Sequence, residues 1–126
     1  MRSSLRSVAA LCAGVVAGGC ASGPPSADER LCAEVERVVT ELNAQEVPIE
    51  EADDVFILAS HLVVAAIGDQ DGKPSPDLAE VVQAAGMEGA NSQAAPFLGG
   101  LVASYEACEE ADVPMDRDTL MTLAER

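Results

Sequence analysis

The chain has 126 residues, a formal net charge of −15 and only three aromatic side chains, Phe56, Phe97 and Tyr105. A chain of this length holds one domain rather than two. Its excess of carboxylates repels nucleic acid and anionic lipid headgroups, so we expect no nucleic-acid partner. With so few aromatic residues, the core must consist of Ala, Val, Leu and Ile, which suit closely packed helices.

The first 19 residues have the pattern of a secretory signal peptide. Arg2 and Arg6 form a basic head without acidic residues, and an apolar run then extends to Gly19. An apolar stretch of roughly 7–15 residues that ends in small residues is typical of such signals. It is shorter than the about 20 residues that a membrane-spanning helix needs. We therefore predict that residues 1–19 are removed on export, and we assign no role to Cys12 within them.

The small residues Ala17, Gly18 and Gly19 end directly at Cys20. This stretch resembles the lipobox of bacterial lipoproteins, commonly Leu-Ala-Gly-Cys, with Ala17 in the place of Leu. The resemblance covers the first 20 residues. It implies that Cys20 becomes the N-terminus and carries a diacylglyceryl group with acyl chains such as palmitate. Two acyl chains hold a protein on a membrane for useful times. The alternative is an ordinary thiol near an ordinary secretory cleavage site.

The remaining chain divides into a tether, residues 20–27, and an acidic helical domain, residues 28–126. Loss of the signal changes the net charge from −15 to −17, because Arg2 and Arg6 are removed. Pro24, Pro25 and small residues make the tether extended, without an apolar face. The preference for Arg over Lys and the richness in Ala, Gly and Val resemble proteins of GC-rich bacteria such as actinobacteria. The whole chain resembles small bacterial lipoproteins with a two-cysteine helical domain, which implies location and shape but no activity.

The first helix is predicted to begin at Ser26, which forms a capping box with Glu29, and to end before Pro48. Its apolar positions recur with helical spacing. These positions are Leu31, Val35, Val38, Val39 and Leu42.

The second helix is predicted over residues 49–67. Its first turns contain the acidic residues Glu50, Glu51, Asp53 and Asp54, which suit a helix N-terminus. Residues 55–67 are apolar almost all round, so we expect neighbours to bury this helix on several sides. The β-branched residues would also allow a strand, but the length and the acidic start favour a helix that stops at Gly68.

The third helix is predicted to start with Ser75 as N-cap and Pro76 at its first position, and to close at Gly86. A loop over residues 87–92 leads to a fourth helix over residues 93–111, capped by Ser92. Gly99 and Gly100 weaken this helix, but they also allow close approach of a neighbour. A short fifth helix over residues 116–124 would place Leu120 and Leu123 inward.

The predicted fold class is all-α, a small antiparallel four-helix bundle with or without the short fifth helix. Cys32 near the start of the first helix and Cys108 near the end of the fourth would share one pole of that bundle. Disulfides persist in exported proteins, so we predict a Cys32–Cys108 disulfide that adds roughly 4 kcal/mol to the unfolding free energy. The alternative is two buried free thiols.

No set of residues predicts catalysis. His61 is the only histidine, and a role as a base partnered by Asp54 lacks a nucleophile in a recognisable motif. A lone histidine on a buried helix is more often a core or boundary residue. The acidic cluster before the second helix is explained by the helix dipole rather than by paired catalytic carboxylates. We therefore predict that the protein is not an enzyme and needs no cofactor.

No metal site is predicted either. Zinc needs three or four ligands, and the cysteines are already assigned to the lipid and the disulfide. The turn at Asp69 and Asp71 resembles a calcium loop, but Lys73 and Pro74 occupy the fifth and sixth positions, where a ligand and the turn glycine belong. A solvated acidic turn is the simpler interpretation.

These features predict a lipoprotein of the cell envelope, anchored to the cell membrane through Cys20 with its domain on the extracytoplasmic side. They favour a role as a non-enzymatic protein-interaction or structural module whose partner is another envelope protein. The alternative is a carrier of a small apolar ligand or lipid, held between the second and fourth helices. An exposed apolar patch would favour the first role, and an internal cavity of a few hundred Å³ would favour the second.

Overall fold

The computed structural model describes residues 24–126, which form an antiparallel helical bundle. Helix α2 packs between α1 and α3, α4 packs between α3 and α1, and α5 lies against α1 and α4. No strand occurs within residues 24–126. The predicted all-α bundle is therefore confirmed, and the fifth helix is present. The helices are α1 (Ala27–Ala44), α2 (Val55–Ile67), α3 (Pro76–Ala90), α4 (Ala94–Glu110) and α5 (Arg117–Ala124), with a 3₁₀ turn at Ile49–Glu51.

Helix α1 has the capping box that the sequence predicts. The Ser26 hydroxyl accepts a hydrogen bond from the Glu29 backbone N–H at 3.1 Å, and the Glu29 carboxylate accepts one from the Ser26 N–H at 2.7 Å. The helix ends at Ala44, before Pro48, because Glu46 adopts a positive φ of 58°. All five predicted apolar positions of this helix are buried, together with Cys32.

Helix α2 begins six residues later than predicted. Ile49 anchors the preceding 3₁₀ turn, because its side chain is buried in the core. The Gln45 side chain then fixes the Asp53 backbone, donating to its carbonyl at 2.9 Å and accepting from its N–H at 2.6 Å. Asp54, at the N-cap, has a left-handed φ of 63° and makes no side-chain cap. The prediction that the acidic residues fill the first turns of α2 is therefore wrong.

Helix α3 continues through Gly86 to Ala90, so the predicted stop at Gly86 is wrong. The glycine serves a close approach of α2 instead, because a Cβ at position 86 would lie 2.8 Å from the Ala59 carbonyl oxygen. At Gly89, a Cβ would lie 2.6 Å from the Ala59 Cβ. Small residues along this seam let the two backbones approach more closely than larger side chains would allow.

Helix α4 approaches α3 at only one of its two adjacent glycines. A Cβ at Gly100 would lie 2.6 Å from the Ala85 Cβ, whereas a Cβ at Gly99 would have no neighbour within 4 Å. The predicted close approach thus holds for Gly100 alone. Ser92 does not cap α4 as predicted, because Gln93 occupies the N-cap and makes no side-chain cap.

Helix α5 packs against α1 and α4. Asp116 caps it by accepting from the Asp118 backbone N–H at 3.1 Å. Asn43 at the end of α1 donates to the Thr119 carbonyl at 2.6 Å. Leu120 and Leu123 are buried, as the sequence predicts. This packing is what orders the C-terminal segment.

The predicted disulfide between Cys32 and Cys108 is present. It joins the start of α1 to the end of α4 across a sequence separation of 76, with the two Cα atoms 5.9 Å apart. Both side chains are fully buried. The buried core extends from Leu31 to Leu123. The segment that carries this core and its covalent link therefore has the parts of a domain that folds by itself.

Candidate functional site

The most unusual surface of the domain is one side of α2. Four large apolar side chains are solvent-exposed there, with exposed fractions of 62% for Phe56, 51% for Ile57, 66% for Val64 and 59% for Ile67. At 3.6 residues per turn they fall on one side of the helix together with Ser60 and His61. We call these six residues the outer face of α2. The opposite side is buried and consists of Leu58, Ala59, Leu62 and Ala66.

The exposure of this face corrects the prediction that α2 is buried on several sides. The helix has only α1 and α3 as substantial neighbours, so its third side has no helix to cover it. A run of exposed apolar side chains along a helix differs from the singly scattered ones that are normal on protein surfaces. Contiguous apolar patches of this kind occur at protein–protein, membrane and ligand contact sites, so this face is the candidate binding surface of the described domain.

His61 lies at the edge of the outer face, next to α1. Its Nδ1 is 2.8 Å from Nη2 of Arg37 and 4.0 Å from the Glu34 carboxylate. A guanidinium only donates hydrogen bonds, so Arg37 is the donor in this contact. Arg37 is itself bound by Glu34 and Glu41, and the hydrogen bond to Glu34 is the main cause that raises its pKa. The structure thus brings His61 to these α1 residues and not to Asp54.

Four acidic residues precede α2. Glu50, Glu51, Asp53 and Asp54 are all exposed, and none of them makes an ion pair within residues 24–126. Glu51, Asp53 and Asp54 contribute to a shallow, open depression of about 460 Å³ that Gln45 also lines. Its lining is too polar for an apolar ligand, but its uncompensated negative charge attracts cations.

A second depression lies at the other end of α2. It measures about 260 Å³ and is bordered by Leu31 and Arg30 of α1 and by Val64 and Ala65 of α2. This depression is open on one side and lies below the roughly 300–1,000 Å³ that is usual for ligand pockets. Neither depression lies between α2 and α4, where the carrier interpretation places a ligand.

The acidic turn after α2 uses its polar groups for its own structure. Asp69 and Gly72 exchange backbone hydrogen bonds of 3.1 and 3.2 Å. One carboxylate oxygen of Asp69 accepts from the Asp71 N–H at 2.8 Å and lies 3.9 Å from Arg30. In the part of the chain that the structure describes, no three His, Cys, Asp or Glu side chains come together as metal ligands do.

A buried polar group that the sequence does not reveal lies between α1, α4 and the start of α5. The Tyr105 hydroxyl is buried beside the Glu36 carboxylate but is not in good hydrogen-bonding geometry with it or with any other described residue. Burial, and next the Glu36 carboxylate, raise the pKa of Tyr105 well above its ordinary value. Burial is also the main cause that raises the pKa of Glu36, against the lowering effect of the Asp116 N–H, which donates to Glu36 at 2.8 Å. Because 80 residues separate Glu36 from Asp116, sequence spacing carried no signal for this contact.

Cys20, the predicted lipidation site, lies outside the described residues. From residue 24 onward, no helix combines the length and the hydropathy of a membrane-spanning segment. Comparison with protein families, with curated proteins and with solved structures found no match to the chain.

Proposed function

We propose that the protein is a cell-envelope lipoprotein, anchored to the membrane by a lipid on Cys20, whose helical domain is a non-enzymatic protein-interaction module. The observation that carries the interaction role is the outer face of α2. Burying a large apolar side chain contributes about 1.5–3 kcal/mol relative to leaving it exposed. Four such side chains on one side of a helix therefore offer a partner a substantial gain on binding.

The anchor in this proposal rests on the sequence that ends at Cys20. A short polar tether follows it, and the acidic domain begins at Ala27. Arg30 holds the end of the tether by donating to the Pro25 carbonyl at 2.9 Å. An anchored protein diffuses in two dimensions, which raises the effective concentration of its binding face for other envelope proteins.

The alternative role, carriage of a small apolar ligand, has less support. The depression beside Val64 has apolar side chains, but it is small and open, so it would leave much of a lipid in water. The outer face of α2 is convex, as any single helix is, and a convex surface covers only one side of a small ligand. A protein partner covers such a face more completely.

The interaction role can be tested in cells by photo-crosslinking. A diazirine amino acid at Val64 is expected to yield crosslinks to a protein partner, whereas the same amino acid at Met121 is the matched control. Met121 is also apolar, helical and 55% exposed, but it lies on α5. Equal protein crosslinks from both positions would contradict the proposed site. Crosslinks from Val64 to small lipids alone would support the carrier role.

The anchor has a separate test. Cys20→Ala should release the protein from the membrane fraction or block its processing, whereas Cys12→Ala serves as the control and should leave fractionation unchanged. Membrane association of the Cys20→Ala variant would contradict the lipidated anchor without affecting the interaction role.

A further inference from the structure

The shape of the outer face limits what can cover it. The 13 residues of α2 extend about 20 Å, and the exposed apolar side chains follow the helix from Phe56 to Ile67. The exposed apolar side chains cover about 100° of the helix circumference, and Ser60 and His61 interrupt them at the middle turn. A stripe of this length and width matches the apolar side of another amphipathic helix, which has apolar residues three and four positions apart. A globular pocket or a flat sheet would match it less well.

The charges at the two ends of the stripe differ. Asp53 and Asp54 directly precede α2, and Glu50 and Glu51 lie in the 3₁₀ turn before them, which also contacts α4. None of these four carboxylates has an ion-pair partner among residues 24–126. After α2, Arg30 lies 3.9 Å from Asp69, and Lys73 follows in the same turn as Asp71. The negative charge around the stripe is therefore concentrated at its beginning.

This charge distribution argues against two other occupants. A second copy of the chain without its first 19 residues would bring a further formal charge of −17 against the first, because Arg2 and Arg6 are lost from a chain of −15. An anionic lipid surface would meet the same acidic end, and the long-range repulsion would oppose the apolar contact. A cationic partner gains from both features, because its apolar residues bury the stripe and its basic residues neutralise the carboxylates.

We infer that the outer face of α2 binds an amphipathic helical segment of another protein, with Lys or Arg side chains concentrated at the end that lies over Glu50, Glu51, Asp53 and Asp54. This inference rests on the proposed interaction role and specifies the class of partner. The apolar stripe supplies most of the affinity, and the acidic end selects the sequence and the direction of the bound helix.

A binding titration tests both parts of the inference. The probe is a fluorescent helical peptide of about five turns with a leucine stripe and lysines at one end, and the control peptide carries glutamates in their place. Residues 21–126, with the disulfide formed, are titrated into each peptide and the anisotropy is measured. We expect the lysine peptide to bind at least ~10-fold more tightly, and the difference to shrink as salt is added.

Four variants separate the apolar contribution from the charge. Val64→Ser should weaken binding of the lysine peptide about 10-fold, in line with the loss of one buried apolar side chain. The triple change Glu50→Gln, Glu51→Gln and Asp53→Asn should reduce the preference for lysine over glutamate to about 2-fold. The controls Met121→Ser and Glu80→Gln alter an exposed apolar residue on α5 and an exposed acid on α3, and should leave binding unchanged.

Three results would overturn the inference. Binding of the lysine peptide that is unaffected by Val64→Ser would mean that the acidic surface alone attracts it. Concentration-dependent dimerisation that Val64→Ser abolishes, without peptide binding, would assign the face to a second copy. Binding to phosphatidylglycerol vesicles that Val64→Ser abolishes would assign it to a membrane. If Val64→Ser leaves peptide binding unchanged but Val64 still crosslinks to a protein in cells, the inferred class of partner is wrong and the interaction role remains. If Val64 gives no protein crosslinks either, the interaction role is wrong as well.

Discussion

Helices α1 and α2 are neighbours in the bundle, yet their sequences carry different amounts of information about their surroundings. In α1, charged residues occupy the positions between the apolar ones, and every predicted apolar position is buried. In α2, residues 55–67 contain only Ser60 and His61 as polar positions. One side of it packs against the bundle, and large apolar side chains on the opposite side face solvent.

The difference shows what an amphipathic pattern does and does not specify. A polar stripe fixes which side of a helix faces water, because burying charged side chains is costly. An apolar residue on the surface costs much less, so an apolar helix can expose either side. Only its neighbours decide which side is covered. The exposed side of α2 is therefore a property of the bundle, and it is also the candidate binding surface.

The largest expected change in stability comes from removing the disulfide that joins α1 to α4. The double variant Cys32→Ala and Cys108→Ala should lower the free energy of unfolding by about 4 kcal/mol, because the unfolded chain regains the entropy of a long loop. This corresponds to a fall in Tm on the order of 15 °C, measurable by circular dichroism. The face of α2 should stay exposed. A loss below about 1 kcal/mol would show that the disulfide adds little to the packing.

A matched pair of valines tests the comparison of the two helices directly. Val35 on α1 is fully buried, whereas Val64 on α2 is 66% exposed. Val35→Ala should lower the free energy of unfolding by about 2 kcal/mol through lost contacts and a cavity, and Val64→Ala should change it by less than about 0.5 kcal/mol. Urea denaturation measures both. Equal losses would mean that the outer face is covered in the isolated domain.

The close packing on the inner side of α2 can be tested by comparing Gly86, which faces α2, with Gly99, which faces no neighbour. Gly86→Ala should destabilise the domain by about 1–2 kcal/mol, because its Cβ would lie 2.8 Å from the Ala59 carbonyl oxygen and the helices would have to separate. Gly99→Ala, with no neighbour within 4 Å, should stabilise it by about 0.5–1 kcal/mol through helix propensity alone. Thermal unfolding that gives the same sign for both would contradict the close approach of α2 and α3.

The smallest effect concerns the partly buried acidic residue of α1, Glu36. Because burial raises its pKa, the folded state favours the protonated carboxyl. The stability that the protonated Glu36 carboxyl contributes is fully present at pH values below the pKa of Glu36 in the unfolded state. It is lost as the pH rises through the raised pKa of Glu36 in the folded state. Glu36→Gln should therefore stabilise the domain at neutral pH by a few tenths of a kcal/mol, less than one net hydrogen bond of about 1 kcal/mol.

The pH dependence of the Glu36→Gln variant provides its control. The gain should disappear at pH values below the carboxyl range, where wild-type Glu36 is protonated in both states. Unfolding monitored at neutral and at acid pH would show this. A gain that is equal at both values would place its origin in packing rather than in ionisation.

Local signals predicted much of the fold. The capping box at Ser26, the proline at the start of α3 and the disulfide pairing all follow from residues whose preferences are set by the backbone or by the export pattern. The stop at Gly86 was wrong because a glycine that ends a helix and one that admits a neighbouring helix look alike in sequence. The start of α2 was wrong because Ile49 and Gln45 hold the acidic segment in a turn through contacts that spacing does not show.

Sequence patterns are sufficient for the helical class and the amphipathic face of α1, because both depend on preferences that act within a few helical turns. The pairing of Cys32 with Cys108 also follows once a bundle is assumed, because few other cysteines remain. The exposed side of α2 and the meeting of Glu36 with Tyr105 and Asp116 follow only from how the helices pack. Those features depend on which helices become neighbours, and an apolar stripe is equally compatible with a core and with a binding surface until its neighbours are in place.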